Sequence, residues 1–113
     1  MVKYSSVHTT FQALSDPTRQ AIVERLAQVG EAPISALAAG HAMSLPGFLK
    51  HVRVLEDAGL VTTEKLGRVR RCRLVPGALD EAQAWIRTHR AFWNAQMDSL
   101  DRYLESNPPA EEP

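Results

Sequence analysis

The sequence predicts a mainly α-helical chain that carries one small β hairpin. Apolar residues recur every three or four positions along most of the chain, whereas residues 60–75 combine two β-prone runs with a central glycine. The 113 residues, 44% hydrophobic and 23% charged, are enough for one globular core. We therefore expect a single domain over residues 1–106 and a disordered acidic tail over 107–113.

Two helices are predicted before residue 30, each with a recognisable start. Ser6 can cap the first helix, and Asp16 is a good cap for the second, in which Pro17 suits the first turn. Gly30 supplies a stop for the second helix. Both helices should pack one face against the core. Their apolar stripes are Val7, Phe11 and Leu14 in the first helix and Ile22, Leu26 and Val29 in the second.

Two further helices joined by a short turn are predicted over about residues 34–59. Ser35 is a plausible cap for the third helix, which ends by Gly40, and Ser44 caps the fourth, which ends at Gly59. This arrangement is typical of a helix-turn-helix, whose second helix enters the major groove of DNA. The fourth helix is two-faced: its core positions are Phe48, Val52 and Leu55, and its outward positions are Gly47, Leu49, Lys50 and Arg53.

A β hairpin is predicted over about residues 60–75, where the runs LVTTEK and RRCRLV are separated by LGRV with Gly67 at the turn. Because side chains alternate along a strand, Cys72 should face the core and Arg71 should face solvent or phosphate. A hairpin beside a recognition helix is a wing, and its tip would reach the sugar-phosphate backbone or the minor groove. The arginines expected at the tip are Arg68 and Arg70.

The distribution of charge agrees with a nucleic-acid partner. The formal net charge of the whole chain is zero, but residues 50–73 alone carry +4, so the remainder carries −4. A basic stripe on an acidic body is suited to binding a polyanion by one face only. The stripe covers most of the fourth helix and the hairpin.

Residues 78–105 form the longest helical pattern in the chain. At about 1.5 Å per residue such a helix is roughly 40 Å long, longer than a small domain is wide. We expect a homodimer in which this helix packs on its symmetry mate and on the first helix; the alternative is a core helix with a frayed end. The residues expected at the dimer interface are Phe11, Trp85, Phe92, Trp93, Met97, Leu100 and Leu104.

Three segments occur in order along the chain: ALSDPTRQAIVERL, MSLPGFLKHVRVLEDAGLV and GRVRRCRLVPGAL. They resemble the second helix, the recognition helix and the wing of the ArsR family of bacterial winged-helix repressors. The resemblance runs from about Phe11 to Glu105. It implies a dimeric helical fold with a short wing, double-stranded operator DNA as partner, with an inverted repeat expected, and repression of the protein's own or an adjacent operon.

The same resemblance implies DNA-binding roles for eight residues. This chain departs from the family pattern at Leu49, where many members have a small polar residue before the Lys-His pair. Leu49 either contacts a thymine methyl group, or specificity comes from DNA shape. His51 is flanked by core positions, so it is a packed or phosphate-contacting residue rather than a pH sensor. The matching positions are Ser44, Leu49, Lys50, His51 and Arg53 on the recognition helix and Arg68, Arg70 and Arg71 on the wing. We also expect Gly47, on the outward face of the fourth helix, and Lys65, in the basic stripe, to contact DNA.

No metal, cofactor or catalytic site is predicted. The third helix lacks the Cys-x-Cys pair of the family's thiolate sensors, and the lone His89 of the last helix is better explained as an interface or core residue. Cys72 is expected to pack as a small apolar side chain. A Gly-rich phosphate loop, a nucleophile elbow and a carboxylate pair placed in a cleft are all missing. We therefore expect a regulator that is neither an enzyme nor metal-responsive, and the sequence indicates no inducer.

The expected location of the protein is the bacterial cytoplasm. A single cysteine and the absence of a charged-then-apolar leader favour this location. The uncharged run 32–49 is interrupted by prolines and glycines, which argues against a membrane span. The competing hypothesis for function is a winged-helix module or adaptor that binds proteins and not DNA. The arginine cluster of the wing is the feature that separates the two.

Overall fold

The computed structural model describes residues 5–109. Over this range the helices and the hairpin follow the predicted order, with one short strand added before the third helix. The predicted tail begins after the last helix, and its residues 110–113 lie outside the described range. The elements are α1 (Ser5–Ala13), α2 (Pro17–Val29), β1 (Glu31–Pro33), α3 (Ile34–Ala38), α4 (Leu45–Asp57), β2 (Val61–Leu66), β3 (Val69–Leu74) and α5 (Asp80–Ser106).

Helix α1 differs from its prediction at both its start and its buried face. Ser6 is a helical residue and not a cap, because the helix already includes Ser5, and the Ser6 hydroxyl donates to the carboxylate of Glu81. Phe11, predicted on the apolar stripe, is exposed. The residues that α1 buries are Val7, Thr10 and Ala13, each three positions after the last.

Helix α2 begins and ends as predicted. The carboxylate of Asp16 accepts the backbone N–H of Arg19 at 3.1 Å, and Gly30 adopts φ 84° while its N–H donates to the carbonyl of Leu26 at 2.7 Å. Ile22 and Leu26 are buried. The prediction for Val29 is wrong: its side chain is 45% exposed, because it is the last helical residue and core contact ends one turn earlier.

Strand β1 is the element that the sequence did not predict. Its three residues pair antiparallel with β3, which gives a three-stranded sheet in the order β1-β3-β2. The next helix, α3, starts at Ile34, so Ser35 lies inside it and is not its cap; Pro33 precedes the helix without a capping side-chain bond. A three-residue strand that includes a proline has no periodicity of its own, and only its pairing defines it.

The core is centred on α4. The Ser44 hydroxyl accepts the N–H of Gly47 at 3.2 Å and so caps the helix, while Phe48 is 0% exposed and packs with the other buried α4 residues. Gly59 adopts φ 76°, and the N–H of Leu60 donates to the carbonyl of Leu55 at 3.0 Å, which closes the helix with a Schellman motif. The buried faces of α2 and α3 and the inner face of the sheet complete this core.

The hairpin is a wing with a two-residue turn. Leu66 and Val69 are paired, so the turn is Gly67-Arg68, and only Gly67 has positive φ (65°), the combination that a type II′ turn requires. Cys72 is fully buried, as the alternation of β3 predicted. The wing therefore packs into the core at its base, while the turn at its tip is exposed.

Helix α5 spans 27 residues, in agreement with its predicted length. The compact unit built by the preceding elements ends at Ala82, and Gln83 begins a second unit that contains the rest of α5. In this second unit most of the large apolar side chains are exposed. Among the described helices, none combines the length and hydrophobicity that crossing a membrane requires.

Candidate nucleic-acid interface

A groove of about 450 Å³ lies between the outward face of α4 and the wing. Helix α4 presents the charged Lys50, Arg53 and Glu56 to the groove, together with the apolar Pro46, Leu49 and Val52. Three cations on two elements face this one space, which is what binding a polyanion requires. The residues that line the groove are Ile34, Pro46, Leu49, Lys50, Val52, Arg53, Glu56, Thr63 and Arg70.

Two predicted contact residues shape the start of α4. Gly47 has its N–H bonded to the Ser44 hydroxyl, and a Cβ placed on Gly47 would lie 3.2 Å from that oxygen. A larger residue at this position would therefore crowd the cap. One turn along, Leu49 is exposed on the groove side, next to Lys50. A leucine has no hydrogen-bonding group, so at this position it can offer a base only an apolar contact.

Arg70 is tied to α4 through Thr63. Its Nη1 donates to the Thr63 hydroxyl at 2.8 Å, and that hydroxyl donates to Oε2 of Glu56 at 2.7 Å. Glu56 lies in the last turn of α4, Thr63 on β2 and Arg70 on β3. The predicted position of Arg70 at the tip of the wing is wrong, because the residue lies within β3 and faces the groove.

Arg71 faces the other side of the sheet. Its Nε donates to Oε1 of Glu31 at 2.5 Å, so its charge is paired with a carboxylate on β1. Side chains alternate along a strand, so adjacent arginines on β3 must point to opposite faces. Lys65, the cross-strand partner of Arg70, shares the groove-side face, and Arg68 occupies the turn.

His51 is turned toward the start of α2 and is absent from the groove lining. The Nη1 of Arg19 donates to its Nδ1 at 3.1 Å, and the Nε of Arg19 donates to the carbonyl of Ala13 at 2.6 Å. His51 Nδ1 also lies 3.7 Å from the Asp16 carboxylate. The backbone N–H of Arg19 lowers the pKa of Asp16, and the charge of the Arg19 guanidinium acts in the same direction.

Cys72 lies in the core behind the wing. Burial raises the pKa of its thiol to about 11, and the carboxylate of Glu56 adds to the increase. A thiol with this environment is largely protonated at neutral pH and behaves as a small apolar side chain. Between Ser5 and Pro109, no group of three His, Cys, Asp or Glu side chains is arranged to hold a metal ion.

The predicted dimer residues of the second unit lie along α5. Phe92 and Trp93 are 65% and 63% exposed, whereas Trp85 is half-buried and stacks on the ring of His89 with centroids 4.0 Å apart. Tyr103, which the sequence analysis did not include, is also exposed. In the first unit, Phe11 is exposed on α1.

Sequence reasoning identified the groove cations but missed the residues that organise them. Glu56 and Thr63 connect α4 to the wing, Glu31 pairs with Arg71, and Arg19 binds His51. These partners have no local signal in the sequence, because each contact joins different elements. Only the alternation of side chains along β3 could have predicted that Arg70 and Arg71 point to opposite faces of the sheet.

Helix α4 has one core face and one basic outward face, the short helix α3 precedes it, and the basic hairpin of β2 and β3 follows it. This combination defines a winged helix-turn-helix, a class of DNA-binding domain. A family model described as a helix-turn-helix domain matches residues 14–64. The HTH-type transcriptional regulator Rv2034 of Mycobacterium tuberculosis is 36% identical over 107 residues, which cover 94% of this chain and 95% of that protein.

Solved structures give the same result. The ArsR family transcriptional regulator RHA00566 is 40% identical, with a TM-score of 0.77 over 83% of this chain and 97% of the other. The homodimeric winged helix-turn-helix DNA-binding domain of a "possible ArsR-family transcriptional regulator" from Mycobacterium bovis is 26% identical, with a TM-score of 0.59 over 94% and 88%.

The chain therefore belongs to the ArsR family of winged helix-turn-helix transcriptional regulators. It is a DNA-binding regulator, and the hypothesis of an adaptor that binds only proteins is not supported.

Proposed function

We propose that this protein is a homodimeric repressor that binds an inverted-repeat operator upstream of its own or an adjacent operon in the bacterial cytoplasm. The observation that carries the proposal is the groove between α4 and the wing, in which Lys50, Arg53 and Arg70 face one space. A helix with its apolar face in the core and its cations outside can enter the major groove while the wing follows the backbone.

The ten predicted residues then divide by role. Lys50 and Arg53 contact phosphates or guanine edges from α4, and Leu49 contacts a thymine methyl group or leaves specificity to DNA shape. The arginines of the wing contact the backbone or minor groove. Ser44 and Gly47 bring the start of α4 close to DNA, and His51 supports the helix from behind. The wing residues in this proposal are Lys65, Arg68, Arg70 and Arg71.

Dimerisation follows from the composition of the second unit. Exposed Phe92 and Trp93 on one helix form an apolar surface that a monomer would leave in water. The similar Mycobacterium bovis domain is described as homodimeric. In a dimer with twofold symmetry, two recognition helices bind two half-sites about 34 Å apart, one helical turn of DNA, so the operator should be an inverted repeat.

The proposal is tested by fluorescence anisotropy. The purified protein is titrated against the duplex upstream of its own gene and against a scrambled duplex, each at two salt concentrations. We expect tighter binding to the upstream duplex and a loss of affinity at high salt, since phosphate contacts release counterions. A matched variant of the duplex with one half-site scrambled should bind more weakly than the intact repeat.

Equal binding to both duplexes would contradict autoregulation by this operator. No binding at either salt concentration would contradict the proposed DNA interface as a whole.

A further inference from the structure

We infer that Thr63 and Glu56 are positioning residues for Arg70, which they hold across the groove before DNA binds. The inference rests on the proposed function, because it requires Arg70 to contact DNA. It goes beyond that function by assigning a role to two residues that are themselves not basic and that match no recognition-helix or wing position implied by the family resemblance.

The geometry is a chain of two hydrogen bonds. Arg70 has only donors, so the Thr63 oxygen must accept the guanidinium N–H at 2.8 Å. The single proton of the Thr63 hydroxyl is donated to Glu56 at 2.7 Å, which leaves the oxygen lone pairs free for Arg70. The charged group at each end strengthens both bonds, because bonds to ionised partners are stronger than neutral ones.

The positions of the three residues explain why a relay is needed. Glu56 is on α4, Thr63 on β2 and Arg70 on β3, so the relay crosses from the recognition helix to the central strand of the sheet. All three side chains line the same groove. An arginine held only by its backbone would sample many rotamers, and ordering it on binding would cost free energy. Thr63 restricts that sampling in the free protein.

Glu56 also limits where the Arg70 guanidinium can go. A carboxylate inside a DNA-facing groove repels phosphate, so its presence is unfavourable for binding unless it serves another purpose. Here the Glu56 carboxylate orients the Thr63 hydroxyl, and Arg70 is the last group in this series of two hydrogen bonds. Exchange of Arg70 for a neutral residue would therefore leave Glu56 and Thr63 without a function in DNA binding.

The test is a double-mutant cycle with a conservative control. Thr63→Val keeps the branched shape and the strand preference but removes both hydrogen bonds, whereas Thr63→Ser keeps the hydroxyl. We expect Thr63→Val to lower operator affinity by about two- to tenfold, the range expected for losing the order of one long side chain, and Thr63→Ser to bind as the native protein does.

The salt dependence separates positioning from contact. Arg70→Ala should lower affinity and also reduce the slope of log K against log salt by about 0.9, the value for one lost phosphate contact. Thr63→Val should lower affinity without changing the slope, because Arg70 still reaches the phosphate. In the Arg70→Ala background, Thr63→Val should have no further effect.

The outcomes distinguish the inference from the proposed function. If Arg70→Ala weakens binding but Thr63→Val does not, or if the two losses are additive, the positioning role is wrong and the DNA contact stands. If Arg70→Ala itself binds with native affinity and slope, the proposed wing contact is wrong and the inference fails with it. Thermal unfolding of each variant checks that the changes in affinity do not come from misfolding.

Discussion

The Nε of Arg71 lies 2.5 Å from Oε1 of Glu31, so the arginine next to Arg70 is paired on the opposite face of the sheet. Both partners are partly exposed, and such a pair contributes little to stability. Its consequence for DNA binding is larger, because the two arginines that look equivalent in the sequence differ in the charge they can offer to a phosphate. Glu31 also connects the predicted wing to the unpredicted strand β1.

Arg70→Ala should affect DNA binding more than Arg71→Ala. The Arg70 guanidinium faces the groove with α4, whereas Arg71 must leave Glu31 before it can contact a phosphate. We expect Arg70→Ala to flatten the salt slope by about 0.9 and Arg71→Ala to change it by less than half of that. Anisotropy titrations over a series of salt concentrations measure both slopes, and equal changes would contradict the assignment.

Phe48→Ala should lower the stability of the fold, whereas Leu49→Ala should leave it almost unchanged. Phe48 is fully buried and Leu49 is exposed in the groove, although the two are adjacent. Removing the buried ring should lower the free energy of unfolding by about 3–5 kcal/mol, whereas removing the exposed leucine should change it by no more than about 0.5 kcal/mol. Urea denaturation measures the first difference.

The same pair of variants tests what Leu49 recognises. If Leu49 contacts a thymine methyl group, Leu49→Ala should lower the ratio of operator to scrambled-duplex affinity. An unchanged ratio would assign specificity to other residues or to DNA shape.

Gly59→Ala should destabilise the fold through backbone conformation alone. Gly59 has φ 76°, and a Cβ at this position would meet nothing within 4 Å, so the cost arises from the left-handed backbone and not from a clash. We expect a loss of about 1–2 kcal/mol. Gly40 is the control: it has no positive φ and equally open surroundings, so Gly40→Ala should keep or slightly raise stability. A similar loss in both variants would contradict this explanation.

The Cys72 thiol should resist modification and make the fold sensitive to alkaline pH. Its pKa is raised from 9.0 to about 11 in the folded state, so the folded protein holds this proton more tightly than the unfolded chain. Stability from this difference is complete below about pH 9 and is lost as the pH rises toward 11. Denaturation midpoints at several pH values should show this loss in the native protein and less of it in Cys72→Ala. Rapid labelling by a thiol reagent in the folded protein would contradict the burial.

Trp93→Glu should convert a dimer into a monomer. Trp93 is exposed on α5, and a carboxylate there would be buried without a partner in a helix-to-helix interface. Asn94→Glu introduces the same charge at the neighbouring exposed position and is the matched control. Sedimentation velocity should show a monomer for the first variant and a dimer for the second. A Trp93→Glu dimer would place the interface elsewhere.

Local signals in the sequence accounted for much of the fold. Asp16 and Ser44 cap α2 and α4, and Gly67 sets a two-residue turn, because each acts through atoms a few residues away. The core face of α4 followed from helical spacing. Two cap predictions were wrong: Ser6 and Ser35 have the chemistry of caps but lie inside α1 and α3.

The sequence by itself determined the family and the order of helices and wing, and its predicted DNA-binding residues included the three cations that line the groove. Only the tertiary structure decided that β1 pairs with β3, that His51 contacts Arg19, and that Arg70 binds Thr63 while Arg71 pairs with Glu31. The physical reason is distance along the chain: Glu31 and Arg71 are separated by 40 residues. Periodicity and capping report on neighbours within a turn or two, whereas these contacts depend on how whole elements pack.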